Sequence, residues 1–127
     1  MKLEDQVCSL ELAKRLKELG VAQQQSLYRY SAYYYKGETL WKLCDRSEVA
    51  WIDSVDAFTV AELGEMLPEK YRSFWHNPNH RWWVCGKESE IGEDASTESD
   101  ARAKMLIYLI EKGIVTTNAK GEGNEND

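Results

Sequence analysis

The chain has 127 residues, a formal net charge of −6 and a hydrophobic share of 43%, which is typical of one soluble globular domain. The acidic balance repels phosphate backbones at long range and argues against nucleic-acid binding. No apolar run approaches the ~20 residues that span a bilayer, so we expect no membrane insertion.

The cysteines and the N-terminus indicate the compartment. Cys8, Cys44 and Cys85 are an odd number without close spacing, so we expect free thiols rather than a disulfide framework. The N-terminal segment lacks the unbroken apolar stretch of a secretory signal. Both features favour the cytoplasm.

The first predicted element is an amphipathic helix between Ser9 and Gly20. Ser9 is a favoured N-cap residue, and Leu12, Leu16 and Leu19 recur on one face. Gly20 stands where a C′ glycine closes a helix. The apolar face must pack against another layer, because one such helix cannot bury itself.

Residues 27–44 predict a β-hairpin. Residues 27–35 are rich in tyrosine and favour a strand, residues 36–38 form a turn, and residues 39–44 favour a second strand. Residues 49–55, which include Trp51, are a weaker strand prediction.

A short helix and a second hairpin follow. Thr59 and Glu62 have the spacing of a capping box, and Pro68 ends the helix near Leu67. Residues 71–76 and 80–86 flank Asn-Pro-Asn, a strong turn sequence, and therefore predict a hairpin. Residues 87–100 carry six acidic residues and are predicted to be a solvated loop rather than a cation site.

The last helix begins after Thr97, is largely buried and ends before Gly113. The predicted class is therefore α+β. We expect a mostly antiparallel sheet of two hairpins plus one weak strand, N- and C-terminal helices packed on it, and one short helix between. Residues 1–115 form a single domain, and residues 116–127 are a disordered acidic and polar tail.

Three segments of the chain resemble a group of small, uncharacterised phage and prophage proteins. These segments are CSLELAKRLKELG, AFTVAELGEMLP and SDARAKMLIYLIEKG, and the resemblance covers residues 3 to about 115. It implies an accessory protein of a phage or integrated element in a bacterial cytoplasm. The group has no assigned activity, so no catalytic residue is carried over.

Aromatic residues are the most distinctive candidate site. Thirteen of the fourteen lie between Tyr28 and Trp83. They either pack beneath the helices or form a surface that binds a partner or stacks on a ligand, with arginines supplying charge. The candidate residues are Tyr28, Arg29, Tyr30, Tyr33, Tyr34, Tyr35, Trp41, Trp75, Arg81, Trp82 and Trp83.

Metal binding and catalysis receive less support from the sequence. His76 and His80 flank the second turn and could face each other across the strand ends, but no paired close ligands accompany them. We therefore predict no metal and no cofactor. Cys85 could pair with either histidine as a thiol–imidazole couple, but it lies in an apolar strand where an inert thiol is commoner. No known catalytic motif is present, so no catalytic residue is predicted.

Three functions remain open at this point. The first is a non-enzymatic phage or prophage accessory protein that binds a host or phage partner protein through an aromatic-rich sheet surface. The second is a binder of a nucleotide-like small molecule that uses stacked Tyr or Trp rings and Arg29 or Arg81. The third is a small enzyme of unknown reaction. Oligomerisation is left open.

Overall fold

The computed structural model describes residues 2–47, 53–86 and 92–117, and the α+β class is confirmed within them. The elements follow the order expected from the hairpin and capping signals, with α1 and β6 as additions that were not predicted. In chain order they are α1 (Leu3–Gln6), α2 (Leu10–Glu18), β1 (Tyr28–Tyr35), β2 (Glu38–Asp45), β3 (Asp53–Asp56), α3 (Val60–Met66), β4 (Tyr71–His76), β5 (Arg81–Gly86), β6 (Gly92–Ala95) and α4 (Glu98–Glu111).

The strands form two separate antiparallel sheets of three strands each. The first has the order β2-β1-β3, in which the predicted first hairpin pairs with the predicted weak strand. The second has the order β4-β5-β6, in which the second hairpin pairs with a strand that was not predicted. Lys36 and Gly37 connect β1 to β2 with φ angles of 52° and 82°, the backbone that a two-residue hairpin turn requires. Residues 77–79 form a single 3₁₀ turn between β4 and β5.

The helices carry most of the core. α4 contains seven buried residues and packs against β5, β6, α2 and α3, while α2 packs against β3 of the first sheet. Phe58 and Leu63 add fully buried side chains from the segment around α3. None of the helices in the described part of the chain has the length and apolar character needed to cross a membrane.

The predicted helix ends are confirmed. The side chain of Ser9 accepts a hydrogen bond from the Leu12 N–H, and Thr59 and Glu62 form the complete capping box. Gly20 has a φ of 97°, and the Val21 N–H bonds the Leu16 carbonyl in a Schellman motif.

The prediction that residues 87–100 form an acidic loop is wrong over residues 92–95, which form β6. α4 begins at Glu98, directly after the N-cap predicted at Thr97. β6 forms in this acidic segment because it pairs with β5, Ala95 lies in the core, and Asp94 forms an ion pair with Arg81 on β5. Residues 87–91 lie outside the described part of the chain.

Two other predictions fall largely outside the described residues. Of the weak strand over 49–55, residues 53–55 belong to β3, whereas residues 49–52, with Trp51, are not described. Of the tail over 116–127, Thr116 and Thr117 are described, and the Thr117 hydroxyl donates to the Leu19 carbonyl at 3.2 Å.

Candidate partner-binding surface

Several of the candidate aromatics face α2 and support the fold. Strand alternation places Tyr28, Tyr30 and Trp41 on the same face of the first sheet. The Tyr30 hydroxyl donates to the Cys8 carbonyl at 2.8 Å, and burial raises the pKa of this phenol. The Lys14 Nζ lies 4.6 Å from the centroid of the Trp41 ring. All three aromatic side chains are half-buried.

Arg29 lies on the opposite face of the first sheet, but it is only 8% exposed. The register places it between Cys44 on β2 and Asp56 on β3. Its Nε is buried and finds no hydrogen-bond acceptor in the part of the chain that the structure describes. A guanidinium held this deeply cannot meet a ligand at the surface unless its surroundings move.

The tip of the first hairpin exposes two tyrosines. Tyr34 is 70% and Tyr35 56% exposed, whereas Tyr33 is half-buried. Neighbouring residues of a strand point to opposite faces, so Tyr34 and Tyr35 do not form one continuous patch. The Lys36 Nζ lies 5.4 Å from the Tyr35 ring centroid and covers part of it.

On the second sheet, Trp75 and Trp82 occupy the face that packs on α4. They are cross-strand partners with ring centroids 5.6 Å apart, and Trp82 packs against the core. The Trp75 Nε1 donates to the Asn77 Oδ1 at 3.3 Å. Trp82 therefore packs at the end of the core, whereas Trp75 lies at its edge with 46% of the residue exposed.

The opposite side of this hairpin carries a row of side chains that we call the outer aromatic face. The cross-strand partners there are Phe74 with Trp83, His76 with Arg81, and Arg72 with Cys85. Val84, on the other side of β5, is fully buried against α4, so these six residues point away from that helix.

Phe74 and Trp83 form the apolar centre of the outer aromatic face. Phe74 is 51% exposed, and the His76 ring lies 6.2 Å from the Trp83 ring in an edge-on arrangement. Trp83 is half-buried because its ring lies over Gly92, where an added Cβ would come within 3.3 Å of a ring carbon. The Trp83 Nε1 is buried and has no acceptor within the described ranges.

Cations border this apolar centre. Arg81 forms an ion pair with Asp94, and Arg72 is exposed. A concavity of about 480 Å³ is lined by Lys70, Arg72, Phe74, Cys85 and Gly86. The outer aromatic face thus combines exposed rings with positive charge on a chain whose net charge is −6.

The predicted pairing of the two histidines is wrong. The connection takes up residues 77–80, including His80 with its φ of 52°, so His76 lies opposite Arg81. The His80 ring contacts Trp75 on the other side of the hairpin. Cys85 lies four positions along the strands from His76, or about 13 Å at ~3.3 Å per residue, too far for a thiol–imidazole pair. No metal-binding group of three or more His, Cys, Asp or Glu residues occurs in the described ranges.

The structure adds Phe74 and Arg72 to the predicted surface and removes the predicted residues that pack inward. Placing the turn at residues 77–80, one residue longer than Asn-Pro-Asn, and alternating outward along both strands would have put Phe74 beside Trp83. The density of tyrosines in β1 instead favours the first hairpin as the binding surface.

No family model, curated protein or solved structure matches the chain. The comparisons point to no enzymatic activity, and the outer aromatic face is interpreted from its own chemistry.

Proposed function

We propose that this chain is a non-enzymatic protein that binds a partner protein through the outer aromatic face. The observation that carries the proposal is the Phe74–Trp83 cross-strand pair, bordered by Arg72 and Arg81, on the side of the sheet that faces away from α4. Exposed aromatic clusters on soluble proteins commonly mark interaction sites, and Trp and Arg dominate the binding energy of interfaces.

The charges indicate the chemistry of the partner. Lys70 and Arg72 line the concavity beside Phe74, where no carboxylate is among the lining residues that the structure describes. A partner segment that combines apolar and acidic side chains would fill this concavity and neutralise both cations. The negative charge of the rest of the chain would then favour one orientation of the partner.

The biological setting is part of the same proposal. The resemblance of three segments to phage and prophage proteins supports an accessory protein that acts on a host or phage partner in a bacterial cytoplasm. This part rests on the resemblance alone.

Quantitative affinity capture from a bacterial lysate tests the proposal with two surface variants. Phe74→Ala removes the exposed ring, and Arg72→Glu reverses a charge on the same face. Truncation of an interface hot spot commonly costs more than about 1 kcal/mol, so each variant should reduce recovery of a specific partner roughly fivefold or more.

Tyr34→Ala is the matched control, because Tyr34 is a 70% exposed aromatic residue on the other sheet. It should leave recovery unchanged, and circular dichroism should show that all three variants remain folded. A captured set that is insensitive to Phe74→Ala and Arg72→Glu would rule out this surface. Loss with Tyr34→Ala alone would assign binding to the tip of the first hairpin instead.

A second candidate, the binding of a nucleotide-like ligand, is favoured by one observation. Lys70 and Arg72 lie beside the Phe74 ring in the 480 Å³ concavity, a combination that could hold a phosphate and stack on a base. Titration with a nucleotide panel, followed by tryptophan fluorescence and calorimetry, separates the two functions. Saturable binding that Arg72→Glu abolishes would support the nucleotide-binding function. If neither the fluorescence nor the heat signal appears, the binding of a partner protein is the function that is supported.

A further inference from the structure

A second cavity lies on a different part of the molecule from the outer aromatic face. It measures about 390 Å³ and shares no residue with that face. Four parts of the chain surround it: the turn that follows α2, helix α3, helix α4, and the segment that follows α4. The described residues that line it are Val21, Ala22, Gln25, Phe58, Glu62, Glu65, Met66, Leu106, Ile110, Val115, Thr116 and Thr117.

The floor of this cavity is apolar and built from the core. Phe58 and Leu106 are 0% and 1% exposed, and Met66 and Ile110 extend the apolar wall on α3 and α4. A volume near 400 Å³ lies at the small end of the range found for ligand pockets, roughly 300–1,000 Å³. The cavity therefore fits a small molecule with a compact hydrocarbon body.

The walls are held in place by specific backbone contacts. The Schellman motif after α2 directs Val21 toward the cavity, and the Thr117 hydroxyl donates to the Leu19 carbonyl. Gly20 permits this contact, because a Cβ at that position would come within 2.9 Å of the Thr117 Oγ1. These contacts hold the walls of the cavity in one arrangement, and a rigid binding site lowers the entropic cost of binding.

The charged groups of the cavity have one sign. Glu62 accepts hydrogen bonds from the Ser26 hydroxyl and from the backbone N–H groups of Leu27 and Thr59, so its carboxylate is held in one orientation. Glu65 lies one helical turn further along α3, is exposed and forms part of the rim. Among the described lining residues none is Lys, Arg or His.

We infer that this cavity binds a small hydrophobic amine, whose hydrocarbon body lies on the Phe58–Leu106 floor and whose ammonium group meets Glu65 at the rim. Two carboxylates without a cation disfavour an anionic ligand by Coulomb repulsion. The same repulsion disfavours the acidic residues of segment 118–127, which has three acids and one lysine.

Three probes with the same phenyl body and different head groups test the inference on the full chain. They are phenethylamine, 2-phenylethanol and 3-phenylpropanoate, titrated separately while backbone amide resonances are followed by NMR. The amine should shift resonances of the cavity-lining residues and bind severalfold more tightly than the alcohol, and the carboxylate should bind most weakly. Equal affinities for the three probes, or shifts that map elsewhere, would overturn the inference.

Glu65→Gln keeps the volume of the side chain and removes its charge. It should lower the affinity for the amine about two- to fivefold, the range of an exposed ion pair, and leave the alcohol unchanged. Glu69→Gln, outside the cavity lining, is the matched control and should change neither affinity. Ala22→Trp places a bulky ring on an exposed lining residue and should abolish binding of both probes.

Two results from these variants would contradict the inference. Equal responses to Glu65→Gln and Glu69→Gln would show that only the overall charge matters. Nuclear Overhauser contacts from residues 118–127 to the cavity, seen without any amine, would identify the chain's own tail as the occupant.

Discussion

Asp56 is the buried acceptor that holds the polar turn between α2 and β1. Its carboxylate is 2% exposed and accepts from the backbone N–H groups of Gln25 at 2.6 Å and Ser26 at 2.9 Å, and from the Arg46 Nη2 at 2.6 Å. Asp56→Asn retains the shape but replaces one oxygen with an amide donor. In one orientation the new NH₂ group faces the two backbone N–H groups, and in the other it faces the guanidinium. In both cases one hydrogen-bond donor is placed against another.

Two contributions set the expected loss of stability. A buried N–H left without an acceptor costs about 1–3 kcal/mol, and Ser26 is buried. The weakened ion pair adds about 1 kcal/mol rather than the larger cost of a fully buried pair, because the Arg46 side chain is 28% exposed. We therefore expect Asp56→Asn to lower the free energy of unfolding by about 2–4 kcal/mol.

Urea unfolding followed by tryptophan fluorescence at pH 7 measures this loss. Asp53→Asn is the matched control on the same strand, because the Asp53 side chain is 57% exposed and its pair with Lys17 spans 3.3 Å at the surface. We expect the control to cost less than about 1 kcal/mol. The assignment of Asp56 as a buried structural acceptor would be refuted if both variants unfolded at the same urea midpoint, with the same slope of unfolding free energy against urea concentration.

Two further predictions concern the helix starts. Thr59→Ala removes the acceptor for the Glu62 N–H in the capping box, and we expect it to cost about 1 kcal/mol in urea unfolding; a loss below ~0.3 kcal/mol would contradict that role. Asp100 lies in the first turn of α4, where burial raises the pKa of its carboxyl group. At a pH between the ordinary and the raised pKa, the native state keeps a proton that the unfolded chain has released. The resulting contribution to stability is lost as the pH rises from the ordinary carboxyl pKa through the raised one. Asp100→Asn should therefore be more favourable relative to wild type at pH 7 than at pH 4, and a difference that is independent of pH would contradict this.

Local chemistry made most elements predictable from the sequence. Thr59 with Glu62, and Gly20 after α2, mark helix ends through hydrogen bonds made within a few residues, and the Asn-Pro-Asn turn separates β4 from β5 in the same local way. Such signals do not depend on the rest of the fold.

Long-range pairing explains why β6 was predicted to be a loop and why some site residues were missed. β6 resembled a loop because its acids, taken alone, favour solvent, and the partner of Asp94 is Arg81 on another strand. The 390 Å³ cavity is built from segments around positions 21, 62, 106 and 117, which no sequence pattern connects.

The aromatic residues show why their density in a sequence is a poor guide to a binding surface. In β1, the Tyr30 hydroxyl donates a hydrogen bond to the Cys8 carbonyl, and Arg29 is buried between neighbouring strands. Much of this run therefore stabilises the first sheet. In the second hairpin one strand face is packed by α4, and the other leaves Phe74 half exposed beside Trp83. Because alternation divides any aromatic strand between two faces, what marks a contact surface is the face on which the rings remain exposed. That criterion moves the proposed interface from the tyrosine run to β4 and β5.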